Sequence, residues 1–116
     1  MQYTHARLCS LIRKHEKPIS GKADFKLLST DEEASIIKLL ENFPQVVKYA
    51  AENYEPSFIC TFLIDLCAAF NHFYQKHRII TEDTGLTDAR MLMVKTIQIT
   101  LKNGLSLLGI QAPEKM

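Results

Sequence analysis

Residues 57–78 contain neither glycine nor proline, and Ile59, Leu63, Leu66, Phe70 and Phe73 recur at i, i+4, i+7, i+11 and i+14. That spacing returns to one side of a 3.6-residue helix, so it predicts a helix from Pro56 to about Arg78. At ~1.5 Å per residue the helix is about 33 Å long. Ser57, Thr61, Ala68, His72 and Lys76 fall on its other side. A helix with one apolar stripe must bury it against other elements, and the rest of the chain offers mainly helices to do so. Four glycines and four prolines leave little material for the turns of an all-β fold.

Tyr3 to Glu16 reads as a first helix, ended by Lys17-Pro18, with Leu8, Cys9, Leu11 and Ile12 on its apolar side. Ile19 to Lys26 reads as a loop. Thr30 and Glu33 form a capping-box pair at the start of a second helix, and Asp31, Glu32 and Glu33 suit its dipole. This helix is expected to end near Asn42, with Pro44 opening a short third helix over Gln45–Asn53. After the Pro56 helix and a connection at 81–85, a fifth runs from near Thr87 to Leu108, with Gly109 ending it. There Val94, Ile97, Leu101 and Leu108 form the core stripe, opposite a solvated stripe of Lys95, Gln98, Lys102 and Ser106. Gly104, inside that helix, costs about 1 kcal/mol relative to alanine and calls for a close helix–helix approach. The expected fold class is all-α, an antiparallel bundle of about five helices in a single domain over 1–116.

The chain has 116 residues, a length that suits one domain. Charges interrupt every apolar stretch, so no membrane span is expected, and the N-terminus lacks the apolar core of a signal peptide. These features favour a cytoplasmic location. Cys9, Cys60 and Cys67 are odd in number and sit in apolar sequence, which fits reduced thiols better than a disulfide framework. No C-x-x-C or His/Cys spacing suggests a metal site.

The net charge of +1 conceals a polarity. Residues 1–28 carry six basic against two acidic residues, a net +4, and residues 29–56 carry two against six, a net −4. Within the first helix Tyr3, Arg7, Ser10 and Lys14 share one face at i, i+4, i+7 and i+11. An aromatic ring with two cations on one stripe suits single-stranded nucleic acid, whose bases stack and whose phosphates attract cations. An ordinary solvated face carrying a tyrosine accounts for the same pattern. Tyr74 and Arg78, four residues apart, form a second aromatic–cation candidate, with packing as the plainer account of Tyr74. No nucleophile–base set can be assembled, and the four glycines are too far apart for a phosphate-cradling loop. The chain shows no catalytic site.

The opening Gln2-Tyr3-Thr4-His5-Ala6-Arg7-Leu8-Cys9-Ser10-Leu11-Ile12-Arg13-Lys14 resembles the Q-Y-A-H-A-R-I-C-S-I-x-R-K segment of the arginyl-tRNA synthetases. Phe43-Pro44-x-Val46-Val47, then Ala50-Ala51 and Pro56, looks like their F-P-E-V-V…A-A…P stretch, and Phe70-Asn71-x-Phe73-Tyr74 like their F-N-x-F-Y. The ending, from Asn103-Gly104-Leu105 through Ala112-Pro113-Glu114 to Met116, is similar to their carboxyl terminus. The resemblance spans the chain and implies a DALR-type anticodon-binding domain. The naming tetrapeptide is not literal; the nearest match is Asp88-Ala89-Arg90-Met91.

The resemblance implies that Tyr3, Arg7, Tyr74 and Met116 border an anticodon loop. Tyr3 and Tyr74 are then expected to stack on bases, and Arg7 to meet a base edge or phosphate. The Met116 carboxylate would accept from an exocyclic amine, Arg13 and Lys14 attract phosphate, and Arg78 belongs to the same RNA-binding set. Implied partners are arginine tRNA and the rest of a synthetase chain, with no membrane and no DNA. No cofactor is expected in this domain; ATP and Mg belong to the catalytic domain, whose H-x-G-H and K-M-S-K-type signatures are absent. The chain therefore reads as a C-terminal piece of an arginine–tRNA ligase, with Met1 as an added or substituted start. Two alternatives are a free-standing helical protein–protein interaction module and the equivalent domain of another class I synthetase, such as the cysteine enzyme. The Q-Y-x-H-A-R opening and A-P-E-x-M ending weigh against the latter.

Overall fold

The computed structural model describes residues 1–15 and 25–109. In order these form α1 (Gln2–His15), a 3-10 turn (Phe25–Leu27), α2 (Asp31–Glu52), α3 (Ser57–Lys76) and α4 (Thr84–Leu107). Most of the segment expected to be a loop, 19–26, lies outside the described residues. The described residues contain helices and no strand, as the apolar periodicity requires.

Four helices replace the expected five, because α2 continues through Pro44. A proline in a helix interior removes one backbone bond and crowds the preceding turn, at a cost of about 3 kcal/mol. Packing outweighs that cost. Ile36, Leu39, Leu40, Phe43 and Val46 form one stripe across the proline, and Phe43 meets Phe62 of α3 with ring centroids 5.2 Å apart. Breaking the helix at Asn42 would turn half of this stripe away from α3. The N-terminus of α2 follows the sequence reading: Thr30 Oγ1 accepts from Glu33 N at 3.2 Å, and the Glu33 side chain reaches back to Thr30.

α2 and α3 form an antiparallel pair joined by 53–56, so Glu32 near the start of α2 meets His77 just beyond α3 at 3.2 Å. The α3 stripe behaves as its spacing requires, with Leu63, Leu66, Phe70 and Phe73 fully buried. The helix stops two residues short of Arg78: His77, with φ −132° and ψ 148°, turns the chain into an extended strap. By length and composition α3 is apolar enough to cross a membrane, contrary to the sequence expectation. Its apolar stripe faces the core, however, while Ser57, Thr61, Asp65, His72 and Lys76 face outward.

α4 begins at Thr84, about one turn before the expected Thr87, because Asp83 Oδ1 accepts from the N–H groups of Gly85 and Leu86. Gly104 makes the close approach expected of it. A Cβ there would come within 2.6 Å of a Leu63 methyl on α3. Gly109 has φ +75°, the left-handed value that ends a helix most easily without a side chain.

The solvated stripe expected on α4 is only partly realised. Lys102 and Ser106 are exposed, but Lys95 is half-buried and Gln98 is buried. α1 packs across this side, so α4 is covered on two faces, by α1 and by the α2–α3 pair. Gln98 Nε2 lies 3.2 Å from Nε2 of His5, a histidine with 1% exposure. Docking α1 thus uses a polar seam as well as Leu8.

Candidate nucleic-acid interface

The parallel course of α1 and α3 brings their exposed aromatic and cationic side chains together. Tyr3 is 60% exposed and Tyr74 39%. The Arg7 guanidinium lies 5.2 Å from the centroid of each ring. Its Nη2 also donates to Tyr3 Oη at 3.2 Å. Each such cation–ring contact contributes about 0.5–1 kcal/mol at an exposed site.

The sequence pairs Tyr74 with Arg78 one helical turn later, but the turn does not exist. α3 ends at Lys76, and the cation over Tyr74 comes from α1 instead. Tyr74 also packs on Phe70, with centroids 5.8 Å apart, yet stays exposed rather than partly buried. Arg78 and Tyr74 nevertheless line the same cleft, of about 340 Å³, together with Lys14. Leu11, Ile79, Ile80 and Met91 supply its apolar lining. Lys14 and Arg13 are exposed, and Ser10 is half-buried. Met116 lies outside the described residues.

A wider cleft of about 560 Å³ runs between α2 and α3, beside the edge-to-face pair Tyr49–Phe58. Its lining includes Glu52 and Asp65 against Lys48, the wrong balance for a polyanion. Among the described residues, Lys14 of the +4 segment and Glu52 of the −4 segment therefore line different clefts.

Below the basic cleft sits a buried polar cluster that sequence reasoning missed. Arg90, 6% exposed, donates through Nε to Glu33 Oε2 at 3.2 Å and through Nη1 to the carbonyl of Arg78. Its sequence signal was the quoted Asp88-Ala89-Arg90-Met91, which carried no stated role. His5–Gln98 was missed too, because Gln98 falls on a face that looks solvated when α4 is taken alone.

Two groups depart from their ordinary acidity. A backbone hydrogen bond, the His77 side chain and nearby Lys76 hold the Glu32 carboxyl below its usual 4.5. Burial pushes the Cys67 thiol up, against a hydrogen bond from Thr4. Cys9 and Cys67 are buried and Cys60 is half-buried, and none of the three is in a disulfide. Among the described residues no three His, Cys, Asp or Glu side chains cluster to hold a metal.

The family model of the DALR anticodon binding domain matches residues 1–116. The chain belongs to this family. It is 44% identical over 121 residues to the arginine–tRNA ligase of Geotalea daltonii, a match covering 100% of this chain and 22% of that protein. The Listeria monocytogenes enzyme is 42% identical over 120 residues, with the same two coverages. The arginyl-tRNA synthetase of Thermus thermophilus superposes with a TM-score of 0.88 at 35% identity, over 99% of this chain and 20% of that one. That of Plasmodium falciparum shares the fold, with a TM-score of 0.85 at 23% identity over 98% of this chain and 20% of that one. The DALR chain thus spans about a fifth of the length of these relatives. Its all-α architecture is theirs, with four helices among the described residues.

Proposed function

We propose that this DALR domain binds the anticodon loop of an arginine tRNA. The observation that carries the reading is the Arg7 guanidinium held between Tyr3 and Tyr74 at the edge of a cleft bearing Lys14 and Arg78. Exposed tyrosines offer faces to splayed bases, at about 1–3 kcal/mol per stacked base. Arg7 presents donors to a base edge or phosphate, and Arg13, Lys14 and Arg78 add sequence-independent attraction. By the resemblance, Met116 would border the loop as well.

The domain acts by binding alone and requires no cofactor. In the longer protein of which it forms the C-terminal, single-domain part, a separate catalytic domain would arginylate the tRNA with ATP and Mg. The remainder of that chain is its second partner, and the cytoplasm its location. Neither a membrane nor DNA is a partner in this reading. The relatives described above are arginine enzymes, which favours this over the cysteine synthetase.

Titration with a labelled arginine-tRNA anticodon stem-loop at several salt concentrations tests the reading. Weak, salt-sensitive and loop-dependent binding, reduced by Arg7→Ala and by Tyr74→Ala, is expected. Equal affinity for an unrelated loop, or indifference to both substitutions, would sink it. The interaction-module alternative draws on the Tyr49–Phe58 cleft, and a domain that binds no RNA would favour it.

A further inference from the structure

The strap between α3 and α4 carries Arg78 to the basic cleft without helical backbone to hold it. Two side chains of α4 do so instead. Thr87 Oγ1 accepts from the N–H of Thr81 at 2.8 Å and donates to its carbonyl at 3.1 Å. Arg90 Nη1 donates to the carbonyl of Arg78. Ile79, 5% exposed, points into the core between these two anchors.

Arg90 is itself fixed from three sides. Glu33 at the start of α2 is fully buried and accepts from Arg90 Nε at 3.2 Å and from Thr30 Oγ1 at 2.7 Å. The Arg90 guanidinium also lies 5.3 Å from the ring centroid of Phe73 on α3. Its burial prevents it from touching an RNA. The planar guanidinium fork lets it serve Glu33 and the strap at once, whereas a lysine ammonium supplies the charge without the fork.

We propose that Arg90 is a positioning residue for the RNA cleft: by pinning the Arg78 carbonyl it holds the strap so that the Arg78 side chain stays beside Tyr74 and Lys14. This rests on the RNA reading above. Arg90→Lys separates the two roles, because it keeps a cation for Glu33 and gives up the simultaneous bond to the strap.

Arg90→Lys, Arg78→Ala and the double variant are compared by thermal unfolding, amide hydrogen exchange and titration with the anticodon stem-loop over a range of salt. Arg90→Lys is expected to unfold cooperatively, to exchange faster at residues 78–80, and to bind about 3- to 10-fold more weakly. Its salt slope should fall by about one, as for loss of one phosphate contact, and Arg78→Ala should then add nothing further. If Arg90→Lys does not fold, Arg90→Gln combined with Glu33→Gln, which leaves no buried unpaired charge, gives the same comparison. A folded variant with wild-type affinity and salt slope, or losses that multiply in the double variant, overturns this inference alone. A wild-type domain that does not bind the stem-loop overturns the RNA reading and this inference with it.

Discussion

Arg7 of α1 and Tyr74 of α3 form a cation–ring contact across two helices, with the guanidinium 5.2 Å from the ring centroid. The same guanidinium lies 5.2 Å from the Tyr3 centroid, so it contacts both rings at once. By holding both rings in place it lowers the entropy they lose on binding a base.

Arg7→Lys should therefore fail to replace arginine. Lysine keeps the charge but not the planar group that stacks on aromatic rings. Stem-loop affinity of Arg7→Lys is expected close to that of Arg7→Ala. Tyr74→Phe should stay near wild type, and Tyr74→Ala should lose about 1–3 kcal/mol of binding free energy.

Glu33→Ala should be among the most destabilising single changes. It leaves the Arg90 charge buried without its carboxylate and removes half of the α2 capping box. Breaking a buried pair from one side costs about 3–5 kcal/mol, whereas replacing both partners by apolar residues is often neutral. Urea unfolding of Glu33→Ala and of Glu33→Leu with Arg90→Leu should show the double variant as the more stable.

Gly104→Ala sets two effects against each other. Alanine gains about 1 kcal/mol in helix propensity. Its Cβ would sit 2.6 Å and 2.9 Å from the two methyls of Leu63, a fully buried side chain. Overpacking of this kind typically costs about 1–3 kcal/mol, so a net loss of stability is expected. Trimming Leu63 to alanine should cost less in the Gly104→Ala background than in the wild type.

Acid should weaken the join between α2 and the strap. The Glu32 carboxyl is held below its usual 4.5 in the fold, first by a backbone hydrogen bond and then by His77 and Lys76. A lowered folded-state value means the contribution is present above the unfolded-state pKa and is lost as pH falls through the folded one. Unfolding midpoints of wild type and Glu32→Gln should differ most at neutral pH and converge below 4.5.

How much was legible beforehand depends on the range of the interaction that decided it. The α3 stripe, the Thr30–Glu33 box and the left-handed Gly109 are local features, set within one or two turns, and they stand as read. Pro44 misled because its own preference is local, while the stripe from Ile36 to Val46 that overrides it acts through α3. Gln98 misled for a related reason: its face of α4 is polar, yet α1 covers it. In the candidate site, Tyr3, Arg7 and Lys14 could be placed together by helical spacing. The partnership of Arg7 with Tyr74 could not.

The sequence by itself determined that the chain is helical, where most helices start and stop, and that positive and negative charge occupy different segments. Those properties follow from backbone capping and 3.6-residue periodicity, which need no partner. The tertiary structure decided which ring receives Arg7, that Arg90 spends its charge on Glu33 inside the bundle, and that the strap brings Arg78 beside Tyr74 and Lys14. Each depends on which faces meet across the bundle, since burial and long-range pairing are properties of packed surfaces.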